Sequence, residues 1–140
     1  MAPGFSGQAV NTGQSIRLQD YAGKVVFLDF WASWCPPCVA SLPAYNQMRR
    51  DIGTDGFEVI AVNVDEHSED GLAFLRRHPV DYPVLLDPAG DIGIPYQLRT
   101  LPRSFILDRS GRVVASYRSY SAGDEQMLKQ EILRVMGSPE

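Results

Sequence analysis

The chain has 140 residues, of which 44% are hydrophobic and 21% charged, and its formal net charge is −4 at pH 7. This length suits one domain with its own core, so we expect a single domain over residues 1–140. The acidic balance argues against nucleic-acid binding, which needs clustered basic residues. The apolar runs are far shorter than a membrane-spanning helix requires, and we expect no membrane contact by this domain.

Residues 1–23 precede the first strong strand signal. The stretches 3–5 and 13–18 predict a short hairpin, and hence an N-terminal extension over residues 1–23. Met1 leads straight into Ala2 and Pro3, with neither the basic region nor the apolar core of a signal peptide. We therefore expect either a cytoplasmic protein or a mature fragment from which a leader or membrane anchor was removed.

A buried strand then runs directly into two cysteines. Residues 25–28 are an apolar run of strand-forming side chains, and a helical pattern occupies residues 36–52. Cys35 and Cys38 stand at the junction and are the only cysteines in the chain. A lone Cys-x-x-Cys pair at a strand-to-helix junction is typical of a redox-active dithiol.

The N-terminus of a helix favours ionisation of a thiol, because its free N–H groups carry a partial positive charge. Since the thiolate is the nucleophile, Cys35 at that end is the predicted attacking residue and Cys38 the predicted resolving residue. Pro36 and Pro37 fit the first helical turn but cannot donate an N–H to the Cys35 sulfur. A less stabilised thiolate favours electron donation, so we expect a reductant.

Two other interpretations of the cysteines are weaker. A zinc site needs a second pair of ligands, and His67 and His78 do not form one. A purely structural disulfide would close a ring too small to stabilise the fold much.

Asp29 lies in the predicted strand among apolar neighbours. A buried carboxylate is costly and usually has a raised pKa, and such carboxylates cluster at functional sites. The alternative is a structural aspartate whose oxygens are satisfied by hydrogen bonds.

The rest of the chain alternates strands and helices. A buried strand over residues 57–64 is followed by Asp65 and Glu66, at the strand end where open α/β sheets place their sites. Ser68 is expected to cap a helix through about His78. The further predicted elements are a strand within 81–87, a short helix over 91–96, and strands after Pro102 and over 112–117. A last helix is expected to have an apolar stripe of Met127, Leu128, Ile132 and Val135.

The run over residues 31–38, Trp-Ala-Ser-Trp-Cys-Pro-Pro-Cys, resembles the active site of thioredoxin-fold proteins. The wider pattern resembles the TlpA/ResA branch of the AhpC/TSA–thioredoxin superfamily over nearly the whole chain. The resemblance implies an α/β fold with a central mixed β-sheet flanked by helices. It also implies an N-terminal hairpin extension and an extra βα unit between Val64 and Val84.

The same resemblance assigns roles to individual residues. Asp29 matches the buried aspartate of thioredoxin, a proton relay for the inner cysteine, whereas the TlpA/ResA branch often has asparagine at this place. Glu66 matches a glutamate of the ResA-like pattern that tunes cysteine protonation, although a solvated loop carboxylate is as good an interpretation. Pro102 matches a cis-proline packed against the cysteine pair. The backbone of Leu101 would then pair with substrate like a strand.

Trp34 and Pro36 are expected to line the surface on which a substrate docks, with simple packing as the alternative for the tryptophan.

The implied function is that of a thiol–disulfide oxidoreductase, most simply a reductase of protein disulfides. It needs no cofactor, only protein dithiol or disulfide substrates and an upstream thiol donor, and we expect a monomer acting outside the cytoplasm, as in cytochrome c maturation. A disulfide oxidase or isomerase, or a copper-handling binding protein, is the alternative. A peroxidase is disfavoured because its Pro-x-x-x-Thr-x-x-Cys context is absent.

Overall fold

The computed structural model describes residues 1–137, which form strands and helices in the predicted alternation. The strands are β1 (Ser6–Gln8), β2 (Ser15–Arg17), β3 (Val25–Trp31), β4 (Phe57–Asn63), β5 (Val84–Leu86), β6 (Arg103–Leu107) and β7 (Val113–Tyr117). The α-helices are α1 (Pro36–Ile52), α2 (Ser68–Arg77) and α3 (Asp124–Gly137), and short 3₁₀ helices span Leu18–Tyr21 and Ile94–Tyr96.

Five strands form one mixed sheet in the order β5-β4-β3-β6-β7. β3 pairs in parallel with β4, which pairs in parallel with β5, whereas β6 is antiparallel to both β3 and β7. β3 is therefore the central strand, and all seven of its residues are buried. This arrangement confirms the predicted α/β fold with a central mixed sheet flanked by helices.

The two faces of β3 contribute to two different cores, because successive side chains of a strand point to opposite sides. Phe27 and Trp31 belong to a cluster that also contains both cysteines and the inner faces of α1 and α3. Leu28 and Phe30 belong to a second cluster that is covered by the N-terminal segment and by Tyr96. Asp29 shares the alternation of Phe27 and Trp31 and therefore faces the cluster that holds the cysteines.

The N-terminal hairpin is confirmed: β1 and β2 pair antiparallel, and Ile16 is buried in the second core cluster. The side chain of Asn11 ties the hairpin to the sheet edge. Its amide nitrogen donates to the carbonyls of Val80 and Tyr82 (3.1 and 2.8 Å), and its oxygen accepts from the Val84 N–H at 3.0 Å.

The predicted insertion after Val64 contains α2, but its strand β5 begins only at Val84, so a helix and not a βα unit lies between Val64 and Val84. Two local expectations were wrong. Ser68 is the first residue of α2 and makes no side-chain cap, since the N-cap position is His67. Met127 in α3 is 47% exposed, because the buried stripe of that helix is Leu128, Ile132 and Val135.

Candidate active site

The two cysteines lie at the start of α1 and form a disulfide, with 5.2 Å between their Cα atoms. Cys35 is the N-cap residue, with an extended backbone, and Pro36 is the first residue of the helix. The Cys35 N–H donates to the Ala32 carbonyl at 3.2 Å, and the Val39 N–H donates to the Cys35 carbonyl at 3.1 Å. The predicted position of the outer cysteine at a helix N-terminus is therefore confirmed.

The pair is covered unequally. Cys35 is 4% exposed and Cys38 is 0% exposed, so the outer cysteine is the one nearer to solvent. Trp34, which precedes it, is 68% exposed, and Pro36 is exposed as well. An indole this exposed contributes little to the core, so the two flanking residues form a surface around the outer sulfur.

Asp29 is completely buried, and neither of its carboxyl oxygens has a hydrogen-bond partner among residues 1–137. Its backbone lies opposite Ala61 in β4 and Ser104 in β6. Burial without compensating hydrogen bonds penalises the charged form and raises the pKa of Asp29 well above its ordinary value. The expected structural alternative, a hydrogen-bonded aspartate, is therefore not what the fold contains.

Two buried tyrosines stand near this carboxyl. Burial raises the pKa of Tyr45 and of Tyr82, and the charge of Asp29 raises both further. The Tyr82 hydroxyl donates to the Leu42 carbonyl at 3.2 Å. Both phenols are thus neutral near pH 7. The groups that shift the pKa values of these two tyrosines include no cation that could balance the charge of Asp29. Sequence reasoning connected neither Tyr45 nor Tyr82 with the site.

A second buried carboxylate, Asp65, supports the loop that precedes Cys35. It accepts hydrogen bonds from the Ser33 N–H (3.0 and 3.2 Å), the Ser33 hydroxyl (3.0 Å) and the Asn63 amide (2.8 Å). Sequence reasoning singled out its neighbour Glu66 instead, which is exposed. The sequence feature that could have identified Asp65 is its position at the carboxyl end of β4, which lies beside the carboxyl end of the parallel strand β3.

Gly71 allows this arrangement. A Cβ atom at Gly71 would lie 2.6 Å from the side-chain amide of Asn63, which holds Asp65. A glycine in α2 therefore lets the helix approach the end of β4 closely enough for the Asn63–Asp65–Ser33 hydrogen bonds to form.

The peptide bond between Leu101 and Pro102 is cis, as predicted. Pro102 is buried, and Leu101 is half-buried and packs against both core clusters, one of which contains Cys35 and Cys38. β6 starts at the next residue, Arg103, which pairs with Phe30 near the end of β3. The loop therefore belongs to the same end of the sheet as the disulfide.

A disulfide-bonded Cys-x-x-Cys pair at a helix N-terminus, next to a cis-proline loop on a mixed sheet, defines a thiol–disulfide oxidoreductase of the thioredoxin fold. The chain belongs to the AhpC/TSA family, whose model matches residues 1–116. It is 33% identical to the thiol-disulfide oxidoreductase ResA of Bacillus thuringiensis subsp. konkukian over 120 residues, which cover 84% of this chain and 69% of the relative.

Two solved structures extend the comparison. A Chlorobium tepidum protein assigned as thiol:disulfide interchange protein DsbE is 40% identical, with a TM-score of 0.90 and 97% and 95% of the two chains covered. The exposed lipoprotein thioredoxin Etrx1 of Streptococcus pneumoniae is 31% identical, with a TM-score of 0.80 and 94% and 99% covered. No helix within residues 1–137 is long and apolar enough to cross a membrane.

Proposed function

We propose that this chain reduces disulfides of proteins, with Cys35 as the attacking residue and Cys38 as the resolving residue. The observation that carries the proposal is the arrangement of the pair. The outer cysteine lies beside the exposed Trp34 and the inner one is fully covered. A bulky protein disulfide approaching this surface meets Cys35 first.

In the first step the Cys35 thiolate attacks one sulfur of the substrate disulfide. A bond forms between the Cys35 sulfur and that substrate sulfur, the substrate S–S bond breaks, and the second substrate sulfur leaves as a thiolate that takes a proton from solvent. Trp34, Pro36 and the Leu101–Pro102 loop hold the substrate backbone during this exchange, as a strand added beside Leu101.

In the second step Cys38 loses its proton and attacks the Cys35 sulfur. The mixed disulfide breaks, the second substrate sulfur leaves as a thiolate that takes a proton from solvent, and the protein retains the Cys35–Cys38 disulfide. Two electrons have passed to the substrate. The carboxylate form of Asp29 accepts the Cys38 proton, because its side chain faces the cysteine core and its raised pKa makes that carboxylate a stronger base.

The direction of electron flow is inferred from the residues between the cysteines. Since neither Pro36 nor Pro37 has an N–H, the Cys35 thiolate lacks two local donors, which disfavours the reduced form and makes the pair a better reductant. An upstream thiol donor must then reduce the disulfide for the next cycle. No feature of the site favours an oxidase, an isomerase or a copper-binding role over this direction.

We further propose that the protein acts as a monomer outside the cytoplasm. The pneumococcal relative is named as an exposed lipoprotein, which supports that location. The resemblance to the TlpA/ResA branch supports cytochrome c maturation, with apocytochrome cysteines as substrates. Glu66 stays a prediction: it is an exposed carboxylate one residue beyond the buried Asp65.

The experiment is a single-turnover assay with the reduced protein and a protein disulfide. The native chain should release two substrate thiols per molecule and regain its own disulfide. Cys38→Ser should accumulate a mixed disulfide through Cys35, and Cys35→Ser should form none. Adducts on Cys38 but not on Cys35 would reverse the assigned order of attack, and no thiol release by the native chain would refute the function.

A further inference from the structure

Two arginines lie across from each other beside the cis-proline loop. Arg103 is the first residue of β6, and the register of β6 with β7 pairs Ser104 with Tyr117. One residue further, the same register places Arg118 opposite Arg103, on the same face of the sheet. Like charges directly opposite on neighbouring strands are destabilising unless an anion lies between them.

Neither guanidinium has an acidic partner among residues 1–137. By contrast, Arg17, Arg49, Arg50 and Arg134 each form an ion pair. The Nη1 atom of Arg103 is buried and has no hydrogen-bond acceptor in that part of the chain. A buried N–H of a charged group left without an acceptor is costly. The two arginines are therefore placed to bind an anion that does not come from residues 1–137.

Arg103 is also held in place. Its guanidinium carbon lies 4.8 Å from the centre of the Phe105 ring, a cation–π contact. Phe105 packs in turn against Phe30 and Tyr96 in the second core cluster. Burial and the charge of Arg118 both lower the pKa of Arg103, which agrees with the two cations being near each other. A fixed guanidinium loses little freedom when it binds a carboxylate.

We propose that Arg103 and Arg118 recognise the carboxylate of an aspartate or glutamate near the reactive cysteine of the substrate polypeptide. The inference rests on the proposed function, because it takes the substrate backbone to lie along Leu101 and Pro102. Arg103 starts β6 two residues after Leu101, and its side chain lies on the Phe30 and Phe105 face of the sheet, opposite the cysteine core. Because neighbouring side chains of an extended substrate point to opposite sides, the recognised acidic residue is adjacent to the substrate cysteine.

The test uses symmetric disulfides of the peptide Gly-Gly-X-Cys-X-Gly-Gly, in which X is glutamate, glutamine or lysine. The second-order rate constant for oxidation of the reduced protein is measured with each peptide. We expect the glutamate peptide to react about fivefold faster than the glutamine peptide, and the ratio to shrink in salt because the pair is partly exposed. The net charge of −4 alone would give the opposite order.

Variants assign that preference to the pair. Arg103→Gln should bring the glutamate-to-glutamine ratio to about one, Arg118→Gln should lower it, and Arg103→Glu should favour the lysine peptide. Arg112→Gln is the matched control. It removes an exposed arginine at the opposite end of β7 and should leave the preference unchanged.

The outcomes separate the inference from the proposed function. Equal rates with the glutamate and glutamine peptides in the native chain, or an unchanged ratio in Arg118→Gln, would overturn the inference alone. Failure of all three peptides to oxidise the reduced protein would overturn the proposed function as well. If Arg103→Gln does not fold, the glutamate-to-glutamine rate ratio of Arg118→Gln is the test, since Arg118 is exposed and its replacement leaves the core unchanged.

Discussion

The replacement of Asp29 by asparagine should make the protein less sensitive to rising pH. The asparagine has nearly the same shape but cannot ionise. Because burial raises the pKa of Asp29 in the folded chain, the folded protein holds a proton that the unfolded chain releases. The native chain should therefore lose stability relative to Asp29→Asn as pH rises from the ordinary aspartate pKa to the raised one, and the difference should be constant outside that window.

The structure sets the size of this effect. Asp29 is 0% exposed and neither of its oxygens has a partner within residues 1–137, so no hydrogen bond offsets the loss of hydration. One proton is involved, and the difference in unfolding free energy should therefore approach about 1.4 kcal/mol per pH unit within the window. Other titrating groups are common to both proteins and cancel in the difference.

The assay is urea unfolding of the oxidised proteins at pH values from acid to neutral, followed by tryptophan emission. Asp51→Asn is the matched control, since Asp51 is exposed and a hydrogen bond from Gln47 lowers its pKa. Its lowered pKa gives the opposite sign, with stabilisation lost as pH falls. A difference between native and Asp29→Asn that does not vary with pH would show that Asp29 ionises normally, and would remove it from the proton transfer.

Two further predictions concern the loop around the disulfide. Asp65→Ala should lower the unfolding free energy by about 2 kcal/mol, because it leaves the Ser33 N–H and the Asn63 amide without their buried acceptor; an unchanged urea midpoint would show that this loop is held by other contacts. Trp34→Ala should change stability by less than about 0.5 kcal/mol, since the indole is 68% exposed. It should slow reduction of a protein disulfide more than reduction of a small disulfide, and equal slowing of both would assign Trp34 to the sulfur chemistry and not to docking.

The fold and the cysteine site could be predicted because they depend on local patterns. The apolar run before Cys35, the helical spacing after it, the helix from Ser68 and the strand within 81–87 are visible as local sequence patterns. The cis bond before Pro102 came only from the family resemblance, since periodicity does not encode peptide isomers.

The residues that were missed depend on contacts between distant parts of the chain. Asp65 and Glu66 are adjacent and chemically similar, but only Asp65 is buried, where it accepts hydrogen bonds from Ser33 and Asn63. The pairing of Arg103 with Arg118 depends on the register of β6 and β7. Met127 adjoins the apolar stripe of α3, but the buried face of that helix runs through Leu128, Ile132 and Val135 and leaves Met127 exposed.

The reduction potential of the Cys35–Cys38 pair decides whether the protein donates electrons to substrate disulfides. The protein is equilibrated in dithiol–disulfide buffers of known potential, and the reduced fraction is read from the emission of its two tryptophans, one of which adjoins Cys35. We expect a value near or below about −250 mV, in the range of thioredoxin. A value near about −120 mV, typical of a strong disulfide oxidant, would contradict it and reverse the proposed direction of electron flow.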